Sequence, residues 1–174
     1  MKRLFLIIVG LFVSLVGYSQ AFNTVDEAYS MLITNVNKYV QWEKVDGSFD
    51  ILVLNNSNLA KNLKKFYGGK KIAGQDVVVS EDKNSRTDYS GIEVLISNHK
   101  AATQDNLLTF NLNDTNAIIN LVQEDEKMKI KIRKHSADNN KIRISSALTS
   151  ISKIIDNNVV ESKPVEAKTD STQH

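Results

Sequence analysis

Apolar residues recur along this chain with two periods, one helical and one of strands. Ala28, Leu32, Val36, Tyr39 and Val40 return at helical spacing with Ile33 beside them, which predicts a helix from Thr24 to about Gln41. Thr24 with Glu27 three residues on forms a capping box, and Asp26 and Glu27 suit the positive helix start. Phe49 to Leu54 is almost continuously apolar, which predicts a central strand buried on both faces. Asn55-Asn56-Ser57 is a loop and N-cap, after which Leu59, Leu63 and Phe66 mark the inner side of a second helix, stopped by Gly68-Gly69 in left-handed C-cap positions. Gly74 marks a turn before a short strand, Val77 to Val79. Asp82 to Ser90 predicts a polar loop, Ile92 to Ile96 a buried strand, and Asn98 to Asn106 a loop with a helical turn.

Leu107 to Leu112 alternates Leu108, Phe110 and Leu112 with Thr109 and Asn111, and Ala117 to Val122 is an apolar strand. Glu124-Asp125-Glu126 turns the chain into a strictly alternating strand, with Met128, Ile130 and Ile132 on one face and Lys127, Lys129, Lys131 and Arg133 on the other. Asp138-Asn139-Asn140 predicts a turn and Lys141 to Ile144 another alternating strand. Ser145 caps a last helix with Leu148, Ile151 and Ile155 inward. The order predicts an α/β fold, a mixed β-sheet with helices packed on it in a Rossmann-like layered arrangement, as a single domain.

The two ends of the chain differ from this middle. Lys2 and Arg3, an apolar run from Leu4 to Val16 and the small residues Gly17 and Ser19 form a signal peptide pattern over residues 1–19. The run is about 13 residues, short of the roughly 20 that span a bilayer. Cleavage after Ser19 starts the mature chain at Gln20 or Ala21 and places it in the periplasm. Residues 21–157 form the domain. Residues 158–174 lack periodicity and predict a disordered tail.

Charge sharpens the picture. The 174 residues carry 22 basic and 20 acidic side chains. Lys2 and Arg3 leave with the signal peptide, so the mature protein is formally neutral and disfavoured as a nucleic-acid binder. No later segment is apolar enough to insert in a membrane. The absence of cysteine removes disulfides, thiolate metal sites and thiol nucleophiles.

The search for catalytic chemistry is mostly negative. Gly68-Gly69 follows a helix, whereas a phosphate cradle precedes one. His99, His135 and His174 are scattered without spaced carboxylates, so no metal site is expected, and His99 and His135 read as surface loop residues. Ser145-Ser146 fits an N-cap better than a nucleophile. Glu124-Asp125-Glu126 lacks the spacing of a calcium loop. No catalytic, cofactor-binding or metal-binding residue is assigned. Two features suit partner binding. Tyr39 and Trp42 end the first helix as interface anchors or as core residues. Lys127, Lys129, Lys131 and Arg133, joined by Lys141 and Arg143 if their strands pair, form either a docking patch for an acidic partner or a solvated face offset by Glu124 and Glu126.

Several segments also resemble the YfiR/HmsC-like periplasmic family. Ala28 to Trp42 is similar to its alanine-led first helix closing on Lys-Tyr-x-x-Trp. Phe49 to Leu54 is similar to its first strand. Lys70-Lys71-Ile72-Ala73-Gly74-Gln75-Asp76-Val77 resembles the segment before its second strand, and Gly91 to Ser97 the strand that follows. Lys141 to Leu148 resembles its closing strand, ending in Ile-Ser-Ser before an apolar helix. Glu43 stands where members often have Pro, an expected asparagine is replaced near Arg133, and the cysteines that crosslink some members are missing.

The resemblance implies a non-catalytic regulator without cofactor. Its partner would be the periplasmic sensor part of an inner-membrane signalling protein, a diguanylate cyclase or sensor kinase held inactive, which lowers cyclic-di-GMP and biofilm formation. A homodimer is compatible with it. The alternatives are a periplasmic module binding a small ligand or envelope polymer, which a pocket with convergent polar groups would favour, and a hydrolase, which a cleft of carboxylates with shifted pKa values would favour.

Overall fold

The computed structural model describes residues 24–155 except 43, 44, 46, 85, 99–103, 113–116 and 126. The expected signal peptide, tail, helical turn after Asn98, His99 and His174 lie outside the described residues. Helix α1 (Val25–Asn37) begins at Thr24, whose hydroxyl accepts from Glu27 N at 3.2 Å. Strand β1 (Val40–Gln41) follows, then β2 (Phe49–Leu54) and α2 (Ser57–Tyr67). Asn56 caps α2 by accepting from Leu59 N at 2.9 Å. Strands β3 (Lys71–Ile72), β4 (Gln75–Asp82), β5 (Val94–Ser97), β6 (Leu108–Asn111), β7 (Ile119–Glu124) and β8 (Lys127–Ile132) come next. The chain closes with α3 (Lys134–Asn139), β9 (Arg143–Ile144), α4 (Ser146–Ile151) and β10 (Lys153–Ile154).

Eight strands form one mixed sheet in the order β10-β8-β7-β6-β5-β2-β4-β3. The run from β4 to β7 is parallel, whereas β3 and β8 join it antiparallel through the β3–β4 and β7–β8 hairpins. β2 lies between β4 and β5, the central place its apolar run predicts. Because side chains alternate across a strand, the register carries one apolar face through the sheet. Phe49, Ile51 and Val53 lie beside Val94 and Ile96, then Leu108 and Phe110, then Ile119 and Leu121, then Ile132. All four helices among the described residues send buried apolar residues into this cluster: Ile33 and Val36 from α1, Leu59 and Leu63 from α2, Ala137 from α3 and Leu148 from α4. The opposite face holds a smaller cluster of Leu52, Leu54, Leu95, Leu107 and Tyr89.

Several expectations are corrected. The first helix ends at Asn37, and Val40 and Gln41 pair with Ile144 and Arg143 as a two-stranded ribbon. Residues a hundred positions apart therefore compete successfully with continued helix. β9 pairs with β1 and not with β8, so Lys141 and Arg143 do not extend the row of Lys127, Lys129 and Lys131. The turn expected over Asp138-Asn139-Asn140 is the end of α3, and His135 is exposed on that helix. Of the glycines after α2 only Gly69 is left-handed, at φ 70°. Ile151 is 70% exposed, because α4 stops there and β10 turns away to pair in parallel with β8. Thr109 and Asn111, which alternate with the apolar residues of β6 as expected, are buried too.

Candidate functional site

The ends of α1 and α2 meet the β3–β4 hairpin at one corner of the domain. α1 stops as Lys38 N donates to Asn35 O at 3.1 Å and Tyr39 N to Val36 O at 2.9 Å. α2 stops at Tyr67, Gly69 turns the chain, and Lys70 N donates to Tyr67 O at 2.8 Å. The hairpin then reverses through Ala73 (φ 50°) and Gly74 (φ 82°), a two-residue turn with both centres left-handed. Between these pieces lies a cavity of about 640 Å³. The α1 side supplies Thr34, Asn37, Lys38, Val40 and Trp42, α2 supplies Tyr67, and the hairpin side supplies Lys70, Lys71, Ile72 and Ala73. All but Tyr67 belong to two of the segments singled out in the sequence, Ala28 to Trp42 and Lys70 to Val77.

Two hydrogen bonds order its wall. The Thr34 hydroxyl donates to Ser30 O at 2.7 Å. The Tyr67 phenol oxygen accepts from Asn37 Nδ2 at 2.8 Å. That leaves Asn37 Oδ1 as a buried acceptor without a partner among the described residues. Burial pushes the Tyr67 phenol up, and its hydrogen bonds to Asn37 and Thr34 act against this. On the other wall the Trp42 ring meets Phe49 edge to face, with centroids 4.8 Å apart and planes at 83°. Its Nε1–H is buried and likewise without a partner. Each such atom costs about 1–3 kcal/mol while it stays unsatisfied. The lysines stand at the electronegative helix ends, where cations are favoured. Lys38 Nζ donates to Asn35 Oδ1 at 2.8 Å, and Lys71 pairs with Asp76 at 2.9 Å.

Trp42 is thus half-buried against the core, whereas Tyr39 is 39% exposed. Tyr39 O accepts from Ser145 N at 2.8 Å, which ties the helix exit to the closing segment. Ser145 is an N-cap, as its position before α4 predicts, accepting from Ala147 N at 3.2 Å.

The row of basic residues on β8 lies far along the sheet. Lys127 is exposed, Lys129 partly buried and Lys131 only 8% exposed. Glu124 bridges the last two, with Oε2 at 3.0 Å from Lys129 and Oε1 at 2.9 Å from Lys131. β10 covers only Lys131 and Ile132 of this strand. The lysines before them blunt an open sheet edge, a common use of that residue. Hydrogen bonds from Lys131 and Lys129 hold the Glu124 carboxyl down to about 2. A lowered folded-state pKa means this contribution to stability is complete above about pH 4.5 and is lost as pH falls toward 2. Glu124→Gln is expected to lower the melting temperature at pH 7, because the buried Lys131 charge then loses the Glu124 carboxylate that pairs with it at 2.9 Å. Adding Lys131→Met should restore most of the loss. A double variant no more stable than Glu124→Gln alone would disprove the coupling.

Among the described residues, the carboxylate with a raised pKa is Glu93. Burial is the main cause, opposed by the Asp50 N–H that its Oε2 accepts at 2.6 Å. Glu93 and Asp50 lie at the amino ends of β5 and β2, opposite the strand ends where α/β sheets build ligand sites. Glu93 serves there as a backbone acceptor. Among the described residues, no three His, Asp or Glu side chains gather as metal ligands, and no helix is long and apolar enough to cross a membrane.

Asn37, Thr34 and Tyr67 were not singled out in the sequence. A trace was present, since Ser30, Thr34 and Asn37 recur at helical spacing beside Ile33 and so form a polar row on the buried side of α1.

No curated protein matches this chain. The YfiR/HmsC-like domain family matches over residues 26–153. That span runs from the first turn of α1 into β10 and takes in every segment that carries the resemblance, so the chain belongs to the YfiR/HmsC-like family of periplasmic regulators.

Proposed function

We propose that residues 21–157 are exported to the periplasm after cleavage behind Ser19 and act there without catalysis or cofactor. The domain binds the periplasmic sensor part of an inner-membrane signalling protein, a diguanylate cyclase or a sensor kinase, and holds it inactive. Family membership over 26–153 carries this reading. The partner surface comprises the aromatic end of α1, Tyr39 and Trp42, and the outer strand with Lys127, Lys129, Lys131 and Arg133. Exposure of Tyr39 and Lys127 supports first contact through those two.

Capture on the tagged protein from envelope membranes tests the reading. A membrane signalling protein should co-purify, and mass spectrometry should find the captured bait beginning at Gln20 or Ala21. Tyr39→Ala should weaken the complex mainly through faster dissociation. Lys127→Glu with Lys129→Glu should slow association and flatten its salt dependence. Variants that bind like wild type would remove these surfaces from the proposal. Failure to capture any membrane signalling protein would remove the regulator reading, and an intact Met1 peptide would remove export.

A further inference from the structure

Helices α1 and α2 start together and end together. Asn56 Nδ2, at the start of α2, donates to Asp26 Oδ1 in the first turn of α1 at 3.1 Å, and at the other end Asn37 meets Tyr67. Charge is sorted along this axis. Asp26 and Glu27 stand at the starting end, with Glu81 hydrogen-bonded to Ser57. Toward the other end lie Lys61, Lys64 and Lys65 on α2, Lys38 behind α1, and Lys70 and Lys71 at the entry of the hairpin, all six exposed. Asp76, paired with Lys71, offsets one of these charges. Glu43, Lys44 and Asp46 of the adjoining sequence, counted in full, offset one more, so four of the six positive charges remain.

The stability of α2 does not explain this excess. Lys61 and Lys65 are four residues apart, a like-charge spacing that weakens a helix. Among the described residues, Lys61, Lys64, Lys65 and Lys70 make no ion pair. The negative end of the helix favours cations in its last turn, Lys64 and Lys65, but gives no reason for Lys61 or Lys70. Every cation here is lysine, a hydrated point charge on a flexible stem. Protein interfaces are depleted of lysine and enriched in arginine. Clusters of about four to eight basic residues instead mark attraction to anionic lipid. The hairpin tip, Ala73-Gly74, is exposed, small and uncharged, so a flat surface can come close.

We propose that this lysine end docks the domain on the anionic phospholipid headgroups of a membrane surface. Lys61, Lys64, Lys65 and Lys70 lie against the headgroup phosphates, and the acidic starts of α1 and α2 point away from them. The hold is electrostatic and reversible. It needs lipid and no partner protein, so it stands or falls apart from the regulator reading.

Co-sedimentation of the full chain with vesicles tests this. One set holds equal parts of phosphatidylglycerol and phosphatidylcholine. The other holds phosphatidylcholine alone and accounts for any binding by the apolar run 4–16. The anionic set should bind at least about a hundredfold more tightly, and added salt should remove the difference. Lys61→Gln, Lys64→Gln and Lys65→Gln together keep good helix formers. With an unchanged thermal transition, this variant should lose most of the preference, about fivefold for each lysine. Lys70→Gln, outside the helix, should cost about fivefold by itself. Lys83→Gln, Lys134→Gln and Lys153→Gln together remove as much charge elsewhere and should bind like wild type. The inference is overturned if both vesicle sets bind equally, if the lysine variants of this end bind like wild type, or if the control variant loses as much. Binding of poly-glutamate without binding of anionic vesicles would overturn it too, and would make this end a docking patch for an acidic protein.

Discussion

Val36→Asp is expected to unfold the protein at neutral pH. Val36 is 1% exposed and packs in the cluster where α1 meets the sheet. The described residues of that cluster are apolar. An unpaired charge, or the neutral acid that replaces it when the pKa rises, costs several kcal/mol on burial. Whole domains retain only about 5–15 kcal/mol. Circular dichroism should show loss of the cooperative thermal transition. Val25→Asp is the matched control. Val25 is 60% exposed in the first turn of the same helix, where a carboxylate favours the positive end. It should melt at or slightly above wild type. A Val36→Asp protein that melts like Val25→Asp would refute the assignment of the inner face of α1.

Phe49→Ala is the second large effect. Phe49 is fully buried at the start of the central strand, and its ring supports Trp42. Truncating a buried phenylalanine costs about 3–5 kcal/mol through lost transfer energy and the cavity left behind. The edge-to-face pair adds about 0.5–1.5 kcal/mol. Chemical denaturation measures the sum. Phe49→Leu keeps most of the burial and removes only the ring, so it should fold with a smaller loss while Trp42 emission shifts to the red. Unchanged emission in that variant would mean that Phe49 does not hold Trp42. Both variants bear on the cavity as well, because the Trp42 wall is positioned from behind by this contact.

Glu124 shows how the chemistry of the β8 face depends on pairing. In sequence the lysines form a bare basic row, with acidic residues only nearby. The β7–β8 hairpin folds one of those carboxylates back over Lys129 and Lys131, and the row becomes largely an internal ion pair. The docking role proposed for this strand therefore rests mainly on the exposed Lys127.

Local patterns in the sequence determined much of this protein. The caps at Thr24, Asn56 and Ser145, the buried β2, the β7–β8 hairpin and the alternation of β8 all stand where period and turn chemistry place them. These features depend on neighbours a few residues away, and such neighbours are visible in a linear string. The family was legible for the same reason, because its marks are runs of consecutive residues. What tertiary structure decided involved partners distant in sequence. α1 gives way to β1 because Val40 and Gln41 find Ile144 and Arg143. α4 stops at Ile151 because β10 finds β8. Thr109 and Asn111 are buried although they alternate like surface residues, because strands cover β6 on both sides. The cavity is the clearest case. Its walls lie about thirty residues apart and meet only when α1 and α2 pack side by side. The unpaired state of Asn37 and Trp42 is a property of that meeting, since a polar atom counts as unsatisfied only after every neighbour that could reach it has been placed.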